Sequence, residues 1–423
     1  MKILILIMNV QNAVMSGADK PKYAVPSMKE IKAIKWNGFN VISTFSGCGG
    51  SSLGYRMSGY RVLLANEFIP AARESYAANS KAILDPRDIR EVKGSELLEK
   101  AGLKVGELDI LDGSPPCASF STAGKREKGW GNVKKYSDSS QRTDDLFFEY
   151  SRLIREMKPK VFVAENVSGL VKGSAKGYFK EILKELKDCG YKVSCRVLDA
   201  KWLGVPQSRQ RTIFVGVRED LKLSPVHPSP LSYQYSIRDA CPWILKVVHD
   251  TSGLWSTGEI TDRTSPTITV GVNGVNSRHF QVLKENKDES KKIITELHSD
   301  LIIEKGACLK KYATGKEWKK LKQGQSSDKY FNLVRSSLDK PCQTVTAMGG
   351  SPGCASVSHP TECRKFSIQE LKRICGFPDD FILKGDYVKQ WERLGRSVPP
   401  VMMSHIAQTI HDEILTKVTD GNS

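Results

Sequence analysis

The chain has 423 residues, 39% of them hydrophobic, enough to bury a large core and, at roughly 100–200 residues per domain, to form about two domains. Lys and Arg number 64 against 47 Asp and Glu, a formal charge of +17 that favours a polyanionic partner such as nucleic acid. No run approaches the roughly 18 apolar residues that span a membrane, which excludes a helical membrane protein.

The ten cysteines are scattered, with no Cys-x-x-Cys and no paired Cys/His spacing, which argues against zinc and for free thiols in a reducing cytoplasm. At the start, Ile3-Leu4-Ile5-Leu6-Ile7-Met8 behind Lys2 has the outline of a short signal-peptide core. A nucleic-acid partner would be misplaced outside the cell, so residues 1–38 are expected to be a loosely attached extension or an upstream start. Residues 41–45 read as a β-branched strand, followed by the turn Ser46-Gly47-Cys48-Gly49-Gly50 and a helical pattern over 52–58. Strand, glycine-rich turn and helix form the generic nucleotide-cofactor corner, although the glycine spacing is not that of a dinucleotide site. A second strand over 61–65 ends at Asn66-Glu67, a carboxylate at a strand tip that can accept two ribose hydroxyls. Asp88 follows a third short strand in the same way, though an ordinary solvated loop acid explains it nearly as well.

The apolar run Leu108-Asp109-Ile110-Leu111-Asp112 breaks into Gly113-Ser114-Pro115-Pro116 and delivers Cys117. Each proline removes an amide donor and fixes φ, so the strand must end there and Cys117 sits on a stiff loop beyond it. A nucleophilic thiolate could be held in this way, provided nearby positive charge lowers its pKa. A buried structural cysteine accounts for the decapeptide equally well. Residues 118–141 are polar and weakly periodic, which suggests a mobile lid. A helix follows over 146–157, with Leu146, Phe147, Tyr150, Leu153, Ile154 and Met157 on one face and Lys158-Pro159 as its stop.

Residues 161–164 are wholly apolar, as expected of a central parallel strand covered on both faces. They end at Glu165, an acid that is costly there unless paired or used, and a candidate to keep its proton. A helix carrying Phe179, Ile182, Leu183 and Leu186 closes at Gly190. Strands over 191–198 and 212–217 are joined by Val205-Pro206-Gln207-Ser208-Arg209-Gln210-Arg211, whose two arginines project to the same face. Contact with phosphate or solvent is the plainer account of that pair. From 219 to about 340 the texture turns to Pro, Ser and Thr clusters, short β-like pieces such as 266–270 and a Lys-rich region over 284–322, as in a second, basic domain. Order returns with a helix over 367–375, stopped by Gly376-Phe377-Pro378, and an amphipathic helix over 401–415 aligning Ile406, Ile410 and Ile414.

Taken in order, these motifs resemble the DNA (cytosine-5) methyltransferases of bacterial or phage type. The residues that carry the resemblance are Phe45-Ser46-Gly47-Cys48-Gly49-Gly50, Asn66-Glu67, Asp88-Ile89, Gly113-Ser114-Pro115-Pro116-Cys117, Glu165-Asn166-Val167, Gln207-Ser208-Arg209-Gln210-Arg211, Gln343-Thr344-Val345-Thr346 and the closing stretch 390–400. The likeness covers about 40–415, with a divergent gap at roughly 220–338 where the family keeps its target-recognition domain. It implies an α/β, Rossmann-like S-adenosylmethionine-dependent fold with a mostly parallel sheet and a smaller, irregular β-rich domain. The implied division is an extension over 1–38, a catalytic domain over 39–219, target recognition over 220–338 and a return to the catalytic domain over 339–423.

The resemblance also implies roles. Cys117 matches the cysteine that adds to cytosine C6, Glu165 the acid that meets N3, Arg211 the arginine that holds O2 or neighbouring groups, and Arg209 the one that supports Glu165 and the thiolate. For the cofactor, Phe45 matches the residue stacked on adenine, with Gly47, Gly49 and Gly50 cradling the methionine portion and Glu67 on the ribose. Phe68 would pack on the adenine, Asp88 would accept its amine and Ile89 would offer a backbone contact, while Pro116, Leu146, Ser397 and Val398 complete the pocket. Ser119, Ser121, Thr267, Ile268, Ser277, Arg278 and His279 are candidate DNA contacts. Two residues depart from the pattern: Ser43 stands where the family often has Asp, and Arg396 where it usually has Asn. The implied partners are S-adenosylmethionine, leaving as S-adenosylhomocysteine, and double-stranded DNA, with no metal and no membrane, in a monomeric cytoplasmic enzyme accompanied in some systems by a restriction endonuclease. Two other readings compete. One is a transfer-RNA cytosine methyltransferase of the same fold, whose Cys-Phe-Thr tripeptide this chain lacks; the other is a silent DNA-binding homologue, which would need none of Cys117, Glu165, Arg209 and Arg211.

Overall fold

The structure is a computed structural model that describes residues 20–116, 145–171, 176–244 and 306–420, with short strands at 134–136, 139–141, 247–249 and 255–257. In chain order the first strands are β1 (Asn40–Thr44), β2 (Arg61–Asn66), β3 (Ile83–Asp85) and β4 (Ile110–Gly113); a hairpin of β5 (Lys134–Tyr136) and β6 (Ser139–Gln141) precedes β7 (Val161–Val167), β8 (Tyr191–Asp199) and β9 (Gln210–Arg218). Seven of them form one sheet in the order β3-β2-β1-β4-β7-β9-β8. The first five are mutually parallel; β9 runs antiparallel to β7 and to β8.

Alternation along each strand builds two apolar layers. Ile42, Leu64, Leu111, Phe162 and Phe214 face the cluster completed by helix α5 (Leu146–Met157) and helix α6 (Lys176–Asp188). Val41, Val62, Ile110, Val163 and Val215 face the opposite cluster, with Met402, Met403, Ile406 and Ile410. All six residues expected on the α5 face are buried. The chain leaves β1 towards β2 and β3 on one side and returns through β4 to β7 on the other. A crevice therefore opens beyond the carboxyl ends of β1 and β4, where the strand order reverses.

Several expectations are corrected. The strand expected to stop at Ala164 continues to Val167, because β9 pairs along its whole length and carries Glu165 and Asn166 in the ladder. It is parallel to β4 on one edge only. Residues 20–38 are not a loose extension: Tyr23, Met28 and Ile31 are buried, the Tyr23 hydroxyl donates to the Arg373 carbonyl at 2.7 Å, and the Met28 amide donates to the Asp380 carboxylate at 2.9 Å. No break occurs at 338, since Val334–Arg335 pairs with Val357–Ser358 and Leu338 joins the cluster of Phe366 and Trp391. The last amphipathic helix runs over Pro400–Ile410 and then widens into a π-turn over His411–Leu415, with Ile406, Ile410 and Ile414 all buried.

Candidate active site

The corner after β1 is bent by Phe45, a non-glycine residue at φ 51°, followed by Gly47 at φ 56° and Gly49 at φ 98°. Only glycine takes such angles without cost, so the sequence can fold this way where the glycines fall. A Cβ on Gly47 would meet nothing within 4 Å, which leaves the turn open to a ligand. On Gly50, the first residue of helix α2 (Gly50–Met57), a Cβ would lie 2.3 Å from the Val398 carbonyl oxygen. The closing stretch is thus seated on the turn, with Cys48 Sγ also 3.0 Å from Ser397 Oγ.

Glu67 lies at the tip of β2, buried, and its two oxygens accept from the Gly47 amide at 2.6 Å and the Ile69 amide at 2.7 Å. Burial pushes its carboxyl up and the two amides oppose that. Phe68 next to it is exposed. Asp88 accepts from the Arg90 amide at 3.0 Å and from its guanidinium, which also bridges to Asp145 at 2.8 Å, directly before Leu146. The Ile89 and Leu146 side chains are buried in the core cluster, so any contact with a ligand must come from their backbone. Among the departures, Arg396 is held by Glu392 at 2.7 Å.

Below the turn, Asp112 in β4 is buried and ringed by hydroxyls: Ser43 donates at 2.9 Å, Ser51 at 2.8 Å and Tyr55 at 3.3 Å. Burial, with a smaller push from the charge of Glu165, outweighs the pull of the hydroxyls and leaves its carboxyl raised to about 6. The charge of Asp112 also helps to hold the buried phenols of Tyr150 and Tyr76 neutral.

Beyond Gly113 the strand turns through Ser114, Pro115 and Pro116, and Asn166 Nδ2 donates to the Pro115 carbonyl at 3.2 Å. Asn166 is a bracing residue to which sequence reasoning gave no role, although it lies inside a quoted motif. Cys117 is the next residue and lies outside the described residues, as do Ser119, Ser121, Thr267, Ile268, Ser277, Arg278, His279 and most of the expected lid. On the neighbouring strands, Arg211 Nε meets Glu165 Oε1 at 2.7 Å, both side chains largely buried. The register makes the pair inevitable: Ile213 lies opposite Glu165 and Arg211 opposite Val167, a diagonal on one sheet face. The buried acid therefore has its partner from the adjacent strand.

Arg209 takes a different course. Fully buried, it donates to the Val345 carbonyl at 3.2 Å and the Gly395 carbonyl at 2.9 Å. Burial lowers its pKa to about 9, and its Nε has no partner among the described residues. Its hydrogen bonds go to these carbonyls and not to Glu165, so the contact expected between them is replaced by Arg211. The stretch 342–346 is zipped alongside 206–209: the Val345 amide donates to Gln207 Oε1 at 3.2 Å and the Thr344 hydroxyl to the Ser208 carbonyl at 2.7 Å. Trp391 Nε1 donates to the Thr346 carbonyl at 2.9 Å. These latching residues were quoted in motifs, but nothing in their spacing showed that they face each other. Among the described residues, no group of three or more His, Cys, Asp or Glu could hold a metal.

A family model described as C-5 cytosine-specific DNA methylase matches residues 39–412. The chain belongs to that family. The methylase is 29% identical to the Type II methyltransferase M.DdeI of Desulfomicrobium norvegicum, over 90% of this chain and 91% of the relative. It is 36% identical to the Type II methyltransferase M.FnuDI of Fusobacterium nucleatum, over 45% of this chain and 51% of that one. A DNA modification methyltransferase encoded within an E. coli prophage has the same fold, with a TM-score of 0.62 at 22% identity over 89% of this chain and 99% of that one. The protein is thus a DNA (cytosine-5-)-methyltransferase, and its family uses S-adenosylmethionine. The open turn at Gly47 and the buried carboxylate of Glu67 suit such a cofactor, whose ribose offers two donors and whose tail needs close backbone approach. No helix among the described residues is long and apolar enough to cross a membrane.

Proposed function

We propose that this methylase moves a methyl group to C5 of a cytosine flipped out of duplex DNA, through a bond between Cys117 and C6. The observation that carries the reading is the Glu165–Arg211 pair, on the strand next to the turn that Asn166 braces before Cys117. The Cys117 thiolate adds to C6 while Glu165, oriented by Arg211, hydrogen-bonds N3 and takes up the charge developing on the ring. Bound S-adenosylmethionine supplies the methyl group that C5 takes and departs as S-adenosylhomocysteine. Loss of the C5 proton then expels the Cys117 thiolate. A stacked base cannot reach this strand edge, which is why the target must leave the duplex. Phe45 and Phe68 flank the adenine, Asp88 accepts its amine, Glu67 takes the ribose hydroxyls, and the backbone of Gly47, Gly49 and Gly50 receives the methionine portion. Pro116, Ile89, Leu146, Ser397 and Val398 close the pocket; no step needs a metal.

The enzyme acts as a monomer, and the Type II naming of its relatives supports a restriction-modification setting with a companion endonuclease. The deciding assay supplies tritiated S-adenosylmethionine with bacterial genomic DNA or with total tRNA. Label should enter DNA and vanish with Cys117→Ala; label in tRNA alone would overturn the substrate. Duplexes carrying 5-fluorocytosine at the mapped site should form a covalent adduct with the native chain only, because fluorine cannot leave as a proton does.

A further inference from the structure

We propose that Asp112 is the acid that positions the cofactor turn, holding it from β4 through the hydroxyls of Ser43 on β1 and Ser51 on α2. The inference rests on the cofactor reading above. Ser43 and Asp112 are direct register partners across the β1–β4 pair, at the switch point itself. Moving a carboxylate from one to the other shifts it by one strand spacing while leaving it on the same face beneath the turn.

The hydrogen bonds show what the acid holds. Ser43 and Ser51 both donate to Asp112 Oδ2, at 2.9 and 2.8 Å. Ser46 in turn donates to the Ser43 carbonyl at 2.9 Å and lies 3.2 Å from its hydroxyl. Ser46 and Ser51 bracket the Gly47–Gly50 turn, so one carboxylate anchors both ends, and Tyr55 adds a third donor from the next turn of α2 at 3.3 Å. Its negative charge lies beneath the first turn of α2, where helix amides carry partial positive charge. The rest of β4 is Ile110, Leu111 and Gly113, and an apolar side chain at 112 would pack there without the penalty of a buried charge. A sheet that needed only stability would not place an acid there. The three hydroxyls that donate to it come from β1 and α2, the two elements that flank the glycine-rich turn.

The test uses the full chain and measures S-adenosylhomocysteine binding by calorimetry, with thermal melting of the cofactor-free protein as the control for folding. Asp112→Asn should weaken binding about tenfold and raise KM for S-adenosylmethionine far more than it lowers kcat. Ser51→Ala, which cuts one tether and keeps the acid, should weaken binding about threefold. Ser43→Asp combined with Asp112→Asn moves the acid to its register partner on β1 and should recover most of the binding. If Asp112→Asn does not fold, recovery of folding and binding in the double variant supports the proposal equally. Binding by Asp112→Asn within twofold of native, or a double variant no better than the single one, overturns it. A native chain that binds no S-adenosylhomocysteine would instead overturn the cofactor reading.

Discussion

Glu165 and Arg211 are paired across the strands at little exposure, and the consequence of removing one partner is asymmetric. Arg211→Ala leaves Glu165 in the ladder without its ion-pair partner, so it should lose about 3 kcal/mol of stability and at least a hundredfold in kcat, as read by denaturant melting and methyl transfer. Glu165→Gln keeps a hydrogen-bonding partner for Arg211 and should remain folded while losing activity. Asp112 gives a second prediction at this scale. Its carboxyl sits at about 6 in the folded chain against an ordinary 3.8, so the fold favours the protonated form. That preference stabilises the protein fully at low pH and is lost as pH rises through 6, by up to about 3 kcal/mol. Cofactor-free native protein should therefore lose more melting temperature between pH 5 and pH 7.5 than Asp112→Asn does; parallel curves would contradict this. Glu165, Arg209 and Arg211 were legible in the sequence as residue types at motif spacing. Their partners were not, because spacing along one strand says nothing of register with the next. Arg209 shows the limit: two positions from Arg211, it was expected to share Glu165, yet its guanidinium is taken by carbonyls of Val345 and Gly395.

Among the elements, those nearest the cofactor corner were read well because they are short and strongly patterned. The apolar runs of β1, β2 and β4 and the one-sided face of α5 fall where periodicity put them, since burial on both faces or on one leaves different signatures. The direction of β9 was not legible, for an antiparallel strand that is buried on both faces looks like a parallel one. That direction matters, because it brings the amino end of β9, with Arg211, to the carboxyl end of β7. The meeting of α2 with the helix Pro400–Ile410 is another element-scale fact: a Cβ on Gly54 would lie 2.5 Å from Met403 Cβ. Gly50 meets the Val398 carbonyl more tightly still, and a backbone oxygen cannot rotate away. Gly50→Ala should consequently cost about 1–3 kcal/mol and weaken S-adenosylhomocysteine binding, both checked on the cofactor-free protein.

For the whole molecule, the formal charge of +17 favours association with a polyanion. Affinity for non-cognate duplex DNA should fall at least tenfold between 50 and 200 mM salt, as measured by fluorescence anisotropy. S-adenosylhomocysteine binding should hold nearly constant over the same range, because a zwitterion without net charge releases few counterions. Composition made the partner legible but not the way the chain closes on itself. Tyr23 reaches Arg373, Cys48 reaches Ser397 and Gly50 reaches Val398, so the first glycine-rich turn is finished by residues some 350 positions later. Contacts of such sequence separation form slowly, since the loop between them must be closed before they repay its entropy. Synthesis therefore imposes a timetable: a nascent chain that has already made β1, Glu67 and Cys117 still lacks the segment that seats its own cofactor turn, and that turn is completed only once Ser397 and Val398 have left the ribosome.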